Sequence, residues 1–256
     1  AGIVPLHVWL PRAHPAAPSH VSALMSAALV KVGVYGVLLL VVRLLPGGPS
    51  WQGVMLTVRG AASALFGVLQ ASVASDLKRL LAFSTTENVG LMVLAVGAAS
   101  LLTCAGAADV ASVALVACLL LVASHAALKT GAFLAAGSTL HATGERDLDR
   151  LGGLARTMPV TAAVFGIAAR AAAALPVTGG FVAEWALLQA LIHGDVPGNR
   201  VVAVATPVAV AIVALTTGIA LMTFVKAYGI AFLARPRTGK AAETHEAGWA
   251  MRLAML

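Results

Sequence analysis

The chain has 256 residues, of which 60% are hydrophobic and 11% are charged, and its formal net charge is +7. A soluble globular domain carries about 25% charged residues, so this composition excludes a water-facing protein surface. The two cysteines exclude a disulfide framework and a cysteine-ligated metal cluster. The lysines and arginines are scattered between long apolar runs, which argues against nucleic acid as a partner. These features predict a helical protein that crosses a lipid bilayer several times.

Residues 1–19 are predicted to form the end of a broken helix and a connecting loop, and residues 20–256 a transmembrane domain. The sequence begins with an apolar segment that lacks the charged start of a signal peptide. A further apolar run begins at 249–256. We therefore expect the chain to be an internal piece of a longer membrane subunit.

The apolar runs after this loop predict six complete membrane spans. They cover residues 20–44, 53–74, 80–102, 110–138, 159–192 and 201–233. The fifth is too long for one straight crossing, and it contains Pro176, Gly179 and Gly180. Because proline removes a backbone donor and the glycines unwind the helix, we expect one broken span here and not two crossings.

Six crossings divide the positive charges unequally between the two sides of the membrane. Three of them, Arg43, Arg59 and Arg200, lie on one side. The other side holds nine, namely Arg12, Lys78, Arg79, Arg146, Arg150, Arg156, Arg235, Arg237 and Lys240. The positive-inside rule therefore predicts a multi-pass protein of the cell inner membrane, with loops 8–19, 75–79, 139–158 and 234–248 in the cytoplasm.

Ionisable side chains inside the predicted spans are candidate functional residues, because charge is costly within a bilayer. Lys31 lies near the middle of its span, too deep for its amine to reach the surface. Lys226 lies nearer the cytoplasmic end, so an interfacial lysine whose amine extends to the surface is an alternative there. Glu87 belongs to a polar cluster, residues 84–88, that is suited to holding water. The full set is Lys31, Glu87, His125, Lys129, Arg170, Glu184 and Lys226.

His125 and Lys129 are one helical turn apart and therefore share a helix face. Two titratable groups stacked in this way predict a short proton-relay segment. A hydrogen-bonded packing histidine is the alternative for His125. The pair is a poor metal site, because a protonated lysine is no ligand and no third donor is near in the sequence.

Glu184 follows the predicted helix break. Transporters place ion-handling groups beside such unwound segments, and the structural alternative is an ion pair between Glu184 and Arg170. Segment 30–36 also resembles segment 225–229, and each follows a proline-containing interruption. Similar segments on oppositely directed helices predict an inverted repeat.

Three motifs in order, Pro5–Ser19, Asp76–Ser84 and His125–Lys129, carry a family resemblance. They resemble the signatures of the proton-conducting antiporter-like membrane subunits. That family includes the large pumping subunits of respiratory complex I, cation/proton antiporter subunits and formate hydrogenlyase membrane subunits. Segments Glu87–Gly90 and Gly180–Trp185 are similar to hydrogenase-4 component B and its formate hydrogenlyase relatives.

The resemblance implies an all-α, polytopic transmembrane bundle with inverted repeats and broken helices, of which this chain covers the eighth to thirteenth helices. It also implies a proton-relay axis, in which Lys31 is the central lysine, His125 and Lys129 continue the axis, and Glu184 is the terminal group. The ionisable candidates Glu87 and Lys226 complete the predicted relay residues.

Two features depart from the family pattern. The break at Leu175–Phe181 lacks one of the usual prolines and the asparagine, and Arg170 stands where the family has an apolar residue. A cation at Arg170 that pairs with Glu184 or Glu87 would hold the carboxylate ionised and so impair proton transfer.

The resemblance further implies proton translocation in a redox-driven complex of the hydrogenase-4, formate hydrogenlyase or complex I type. The sequence carries no motif for a catalytic centre, so we expect no cofactor and no metal in this chain. The redox chemistry is then expected in other membrane and peripheral subunits, which are the predicted partners together with the lipid bilayer and protons. Two other classes stay open, namely a subunit of a Na⁺/H⁺ antiporter and a non-pumping membrane scaffold.

Overall fold

The computed structural model describes residues 2–233 and 235–255, and helices account for most of them. The helices are α1 (Leu10–Ala16), α2 (Ser19–Leu44), α3 (Ser50–Val73), α4 (Leu77–Cys104), α5 (Ala108–Thr143), α6 (Pro159–Ala172), α7 (Gly179–Ile192), α8 (Arg200–Leu233), α9 (Gly239–Ala242) and α10 (Trp249–Met255). Helix α2 contains π-helical turns at Met25–Leu29 and Leu39–Leu44, and α8 contains one at Gly229–Leu233. Over these described ranges the structure contains no β-strand.

Five of these helices, α2, α3, α4, α5 and α8, are long and apolar enough to cross a membrane. Helices α6 and α7 are apolar but shorter. The predicted all-helical, multi-pass architecture is therefore confirmed. The count of six crossings, the exact span ends, the division at residues 19 and 20, and the inverted repeat stay predictions.

The predicted helix break lies between α6, which ends at Ala172, and α7, which begins at Gly179. Within it Ala174 and Val177 have positive φ angles of 47° and 72°, which are unusual for residues other than glycine. Thr178 then caps α7, because its hydroxyl accepts a hydrogen bond from the Phe181 amide at 3.3 Å. The helix break therefore depends on these backbone conformations and on the Thr178 cap as well as on Pro176.

Helix α4 is the centre of the bundle. In an apolar stretch of 18 residues of α4, 83% of the residues are buried, against 28–50% in such stretches of the other four long helices. Its closest neighbour is α3, because a Cβ atom on Gly60 would overlap the carbonyl oxygen of Gly90 at 2.6 Å, and one on Gly90 would overlap that of Gly60 at the same distance. Small residues permit such close approach between membrane helices.

Four loops predicted to share one side of the membrane contact one another. Arg146 forms an ion pair with Asp76 at 2.6 Å and donates to the carbonyl oxygen of Pro15 at 2.8 Å. Arg237 donates to the carbonyl oxygens of Leu148 and Leu151, both at 3.1 Å. The described residues of loops 8–19, 75–79, 139–158 and 234–248 therefore lie at one end of the bundle, whose cytoplasmic location stays a prediction.

Candidate functional site

A group of buried polar side chains lies where α2, α4 and α5 meet. Lys31 is contributed by α2, the polar segment 84–88 by α4, and His125 and Lys129 by α5. All of these residues are buried, and His125 and Lys129 are completely inaccessible to solvent. Such a concentration of polar groups in an apolar helical protein is costly unless the groups satisfy one another or hold water.

Lys31 is in direct contact with His125. The Lys31 Nζ atom lies 2.5 Å from the His125 Nδ1 atom, and it also donates to the carbonyl oxygen of Ser26. Ser26 belongs to the π-helical turn Met25–Leu29, which immediately precedes the turn that carries Lys31. π-helical turns are rare and frequently occur at functional sites. Here the turn presents a backbone oxygen to the lysine.

Lys129 faces α4. Its Nζ atom donates to the carbonyl oxygen of Leu81 at 2.9 Å and to the hydroxyl of Ser84. The same Nζ atom lies 5.8 Å from the centre of the Phe224 ring on α8. Among the described residues Lys129 has no carboxylate in direct contact. The amine is therefore held by neutral groups.

A series of hydrogen bonds runs from Ser26, the residue whose carbonyl oxygen accepts from Lys31, to the acceptor of Lys129. The Ser26 hydroxyl lies 2.7 Å from the Thr85 hydroxyl, and Thr85 donates to the Leu81 carbonyl oxygen at 3.0 Å. That oxygen is also an acceptor for Lys129. On one side Lys31 is thus bonded to the imidazole of His125, whose other nitrogen has no hydrogen-bond partner among the described residues. On the other side hydroxyl and carbonyl groups join Ser26 to the Leu81 oxygen that accepts from Lys129.

Two carboxyl groups lie beyond Lys129. Glu87 on α4 is close enough to interact electrostatically with Lys129 and with Glu184, and its Oε2 atom is buried with no hydrogen-bond partner in the described part of the chain. Glu184 lies in the second turn of α7, directly after the break. Its Oε2 atom accepts a hydrogen bond from the Thr217 hydroxyl of α8 at 2.5 Å.

Two of the charged candidates lie away from this group. Lys226 donates to the carbonyl oxygens of Ser72 at 2.5 Å and Ala74 at 3.3 Å, at the end of α3. Arg170 is exposed on α6 and lines an apolar groove. The ion pairs found in residues 2–233 and 235–255 are Arg146–Asp76 and Arg150–Glu145, so the alternative in which Arg170 pairs with Glu184 or Glu87 is absent there.

Three polar residues of this region were not singled out from the sequence. Thr217 has no sequence signal, because threonines are common in such helices. Lys78 counted only as a loop charge, yet it is 2% exposed and donates to the Ala17 carbonyl oxygen at 2.5 Å. His14 is fully buried, and burial first, then the charges of Lys129 and Lys78, lower its pKa to about 4.

The described residues contain no cluster of histidine, cysteine, aspartate and glutamate suited to a metal ion. The site is instead a set of titratable nitrogen and carboxyl groups from α2, α4, α5 and α7. Such groups exchange protons with one another and with water, and each carries a different charge before and after the exchange. The arrangement is suited to proton transfer across the interior of the bundle.

Comparison with known proteins identifies the family. The family described as NADH:quinone oxidoreductase/Mrp antiporter, TM, matches residues 1–213. The chain belongs to this family. The predicted resemblance is therefore confirmed.

Individual relatives agree with the predicted subtype of the family. The chain is 43% identical over 258 residues to hydrogenase-4 component B of Escherichia coli (strain K12), covering 100% of this chain and 38% of that protein. It is 37% identical over 242 residues to formate hydrogenlyase subunit 3 of the same strain, covering 94% and 40%. The chain thus spans about 40% of the length of these relatives.

A solved structure has the same fold. Respiratory complex I from Thermus thermophilus with bound NADH contains a chain that is similar with a TM-score of 0.79 at 26% sequence identity. The match covers 99% of this chain and 49% of that chain.

Proposed function

We propose that this chain is part of a proton-translocating membrane subunit of a redox-driven complex, of the hydrogenase-4, formate hydrogenlyase or complex I type. The observation that carries the proposal is the contact between Lys31 Nζ and His125 Nδ1, with Lys129 one helical turn beyond. It joins titratable groups of two helices inside a bundle that crosses the membrane. Membership of the family and the hydrogenase-4 and formate hydrogenlyase relatives support the redox-driven class.

The order of the groups suggests the route. Lys31 receives a proton from the part of the subunit that precedes it and passes one to His125. Imidazole accepts at one ring nitrogen and releases at the other, and the Nε2 atom of His125 is buried without a partner among the described residues. Water at that nitrogen carries the proton to Lys129. Glu87 and then Glu184 take it toward the helix break.

Coupling to a redox reaction follows from electrostatics. Moving one charge within a low-dielectric interior changes the energies of all charges near it. A charge change in a redox partner therefore alters the proton affinity of the first group, and each transfer alters that of the next. We place the electron chemistry in other subunits and this chain in the inner membrane, with the joined loops at its cytoplasmic side.

Sodium transport is a second candidate, because the family includes antiporter subunits. The chemistry of the site favours protons. Sodium is a hard cation that requires several oxygen ligands, as the other hard cations do, whereas Lys31, His125 and Lys129 present nitrogen atoms. A protonated amine in the path repels a metal cation. Among the described residues of the site, only Glu184 and Glu87 supply carboxylate oxygens.

The test uses the full-length subunit in its native complex, reconstituted into vesicles. Lys31→Ala removes the amine that contacts His125, so proton flux driven by the redox reaction is expected to be lost while the complex still assembles. Lys240→Ala, which changes an exposed loop lysine, is the matched control. Unchanged proton flux in the Lys31 variant would refute the proposal.

Two further results identify the alternatives. Flux that requires sodium in the medium would assign the chain to the antiporter class. Loss of the assembled complex in the Lys31 variant, with normal flux in whatever complex remains, would assign it to the scaffold class.

A further inference from the structure

His14 is a buried histidine that the relay described above does not use. It lies in α1, within the loop segment 8–19, and its side chain is 0% exposed. Its ring stacks on Phe133 of α5 with a centroid distance of 4.7 Å and an angle of 16° between the planes. A polar ring is thus enclosed at the loop end of the helix bundle.

The position of Phe133 places His14 in line with the relay. His125, Lys129 and Phe133 follow one another at intervals of four residues, so they share one face of α5. His14 therefore lies about one turn beyond Lys129, in the direction of the loops that join at one end of the bundle. Both Lys129 and Lys78 are near enough to act on it electrostatically.

Neither ring nitrogen of His14 has a hydrogen-bond partner in the described part of the protein. The large majority of buried polar side-chain atoms are partnered by protein or by ordered water, so each exception requires an explanation. A purely packing ring at this position would be served better by phenylalanine, which has no nitrogen to satisfy. Water on both sides of the ring would supply the partners that the two nitrogens lack.

The charges around His14 are compatible with proton transfer through a neutral imidazole ring. Burial and the two lysines lower the pKa of His14 to about 4, so the ring is neutral at physiological pH. A neutral imidazole has one donor and one acceptor. It can therefore sit beside two lysines without adding a third fixed charge.

We propose that His14 is a proton-transfer residue that connects Lys129 with the end of the bundle formed by the four joined loops. The ring takes up a proton at one nitrogen from water on the loop side and releases the proton of its other nitrogen to water on the Lys129 side. A flip of the ring then restores the starting tautomer. This proposal rests on the proposed function of the chain as a proton conductor.

The test compares two variants of the full-length subunit in its native complex. His14→Phe keeps an aromatic ring on Phe133 and removes both nitrogens. Because a positioned acid–base group contributes on the order of 100-fold or more to a proton transfer, proton flux per assembled complex is expected to fall by about that factor. His20→Phe changes an exposed histidine at the start of α2 and is expected to leave the flux unchanged.

A second variant of His14 separates a role in proton transfer from a purely structural role of the ring. His14→Ala opens a space in which imidazole from the medium can act, so added imidazole is expected to restore part of the flux. Flux per complex in His14→Phe within about twofold of the native value would overturn the proposal, since a loss on the order of 100-fold is expected. If His14→Phe prevents assembly, failure of imidazole to restore flux in His14→Ala overturns it.

The two proposals fail in different ways. If Lys31→Ala abolishes flux and His14→Phe does not, His14 alone is excluded. If neither variant changes the flux, the proposed function itself is wrong.

Discussion

Thr217 on α8 donates a hydrogen bond to Glu184 on α7, with 2.5 Å between the Thr217 Oγ1 and Glu184 Oε2 atoms. Glu184 is the first carboxylate after the helix break and is buried. Helix α8 therefore holds the group that we place at the end of the proton path. The contact joins residues that are 33 positions apart in the sequence.

We expect Thr217→Val to lower proton flux without lowering the amount of assembled complex. Valine has nearly the same shape but lacks the hydroxyl, so the Glu184 carboxyl group loses its donor. An unpartnered buried polar group costs about 1–3 kcal/mol, which corresponds to a change of roughly 5- to 150-fold if it falls on the rate-limiting transfer. Flux in vesicles, divided by the amount of complex, measures the effect.

Thr216→Val is the matched control for this prediction. Within the described residues, the Thr216 hydroxyl bonds only to the carbonyl oxygens of Ile212 and Val213, at 3.0 and 2.9 Å. Equal flux in the two valine variants would show that the bond to Glu184 has no part in transfer.

A second prediction concerns the close contact of α3 and α4. We expect Gly90→Ala to destabilise the protein by about 1–3 kcal/mol, the typical result of overpacking, because the new methyl group would overlap backbone atoms of Gly60 and Ala64. Thermal unfolding in detergent measures the loss. Gly36→Ala is the control, since open space surrounds that position and alanine favours a helix. A Gly90 variant as stable as the Gly36 variant would mean that the two helices can separate freely.

The hydropathy pattern, together with the proline and glycine residues that interrupt it, predicted most of the fold. Long apolar runs correspond to the long helices, and Pro176 with Gly179 and Gly180 correctly predicted the break. The π-helical turns in α2 and α8 were not predicted, because they depend on how neighbouring helices pack and have no periodic signal. The predicted span 110–138 lies within α5, which runs from Ala108 to Thr143 because the polar residues after the apolar run are still helical.

The candidate site was only partly accessible to sequence reasoning. Helical periodicity places His125 and Lys129 on one face, but the contact of Lys31 with His125 joins residues 94 positions apart and depends on tertiary packing. The Thr217 hydroxyl looks like any helical threonine until its partner is known. His14 lies in a loop segment, where burial cannot be read from periodicity.

The third prediction concerns pH and the start of α6. The carboxylate of Glu246 accepts hydrogen bonds from the Val160 amide at 2.7 Å, the Thr161 amide at 3.3 Å and the Thr161 hydroxyl at 2.7 Å. Partial burial alone would raise the pKa of Glu246, but the hydrogen bonds from Thr161, Ala247 and Val160 bring it below the ordinary value of 4.5. The ionised group therefore favours the folded state.

The contribution of Glu246 to the stability of the folded state depends on pH. Because the folded pKa is depressed, the contribution of Glu246 is present above pH 4.5 and is lost as the pH falls through the folded value. We expect Glu246→Gln to lower stability at pH 7 by about 1 kcal/mol, as for loss of a helix cap, and to differ less from the native protein at lower pH. Thermal unfolding at pH 7 and at a pH below 4.5 measures the difference in stability between the variant and the native protein. The control is Glu243→Gln, which changes an exposed glutamate. A stability difference between the Glu246 variant and the native protein that does not change with pH would contradict the prediction.

The last prediction distinguishes two proposed routes for a proton from Lys31 to Lys129, one through His125 and one through Ser26 and Thr85. His125→Phe keeps a ring of similar size but removes both nitrogens, so it interrupts the imidazole route. Thr85→Val removes the hydroxyl that lies 2.7 Å from the Ser26 hydroxyl, so it interrupts the other. Since the imidazole is the titratable group of the two, we expect flux per complex to fall on the order of 100-fold in the His125 variant and much less in the Thr85 variant.

The same vesicles that report flux also report redox turnover, which serves as the internal control. Turnover in vesicles made permeable to protons should be normal in both variants, because we place the electron chemistry in other subunits. A larger loss of flux in Thr85→Val than in His125→Phe would mean that hydroxyl and carbonyl groups with bound water conduct the proton. The contact between Lys31 and His125 would then serve to hold α2 against α5.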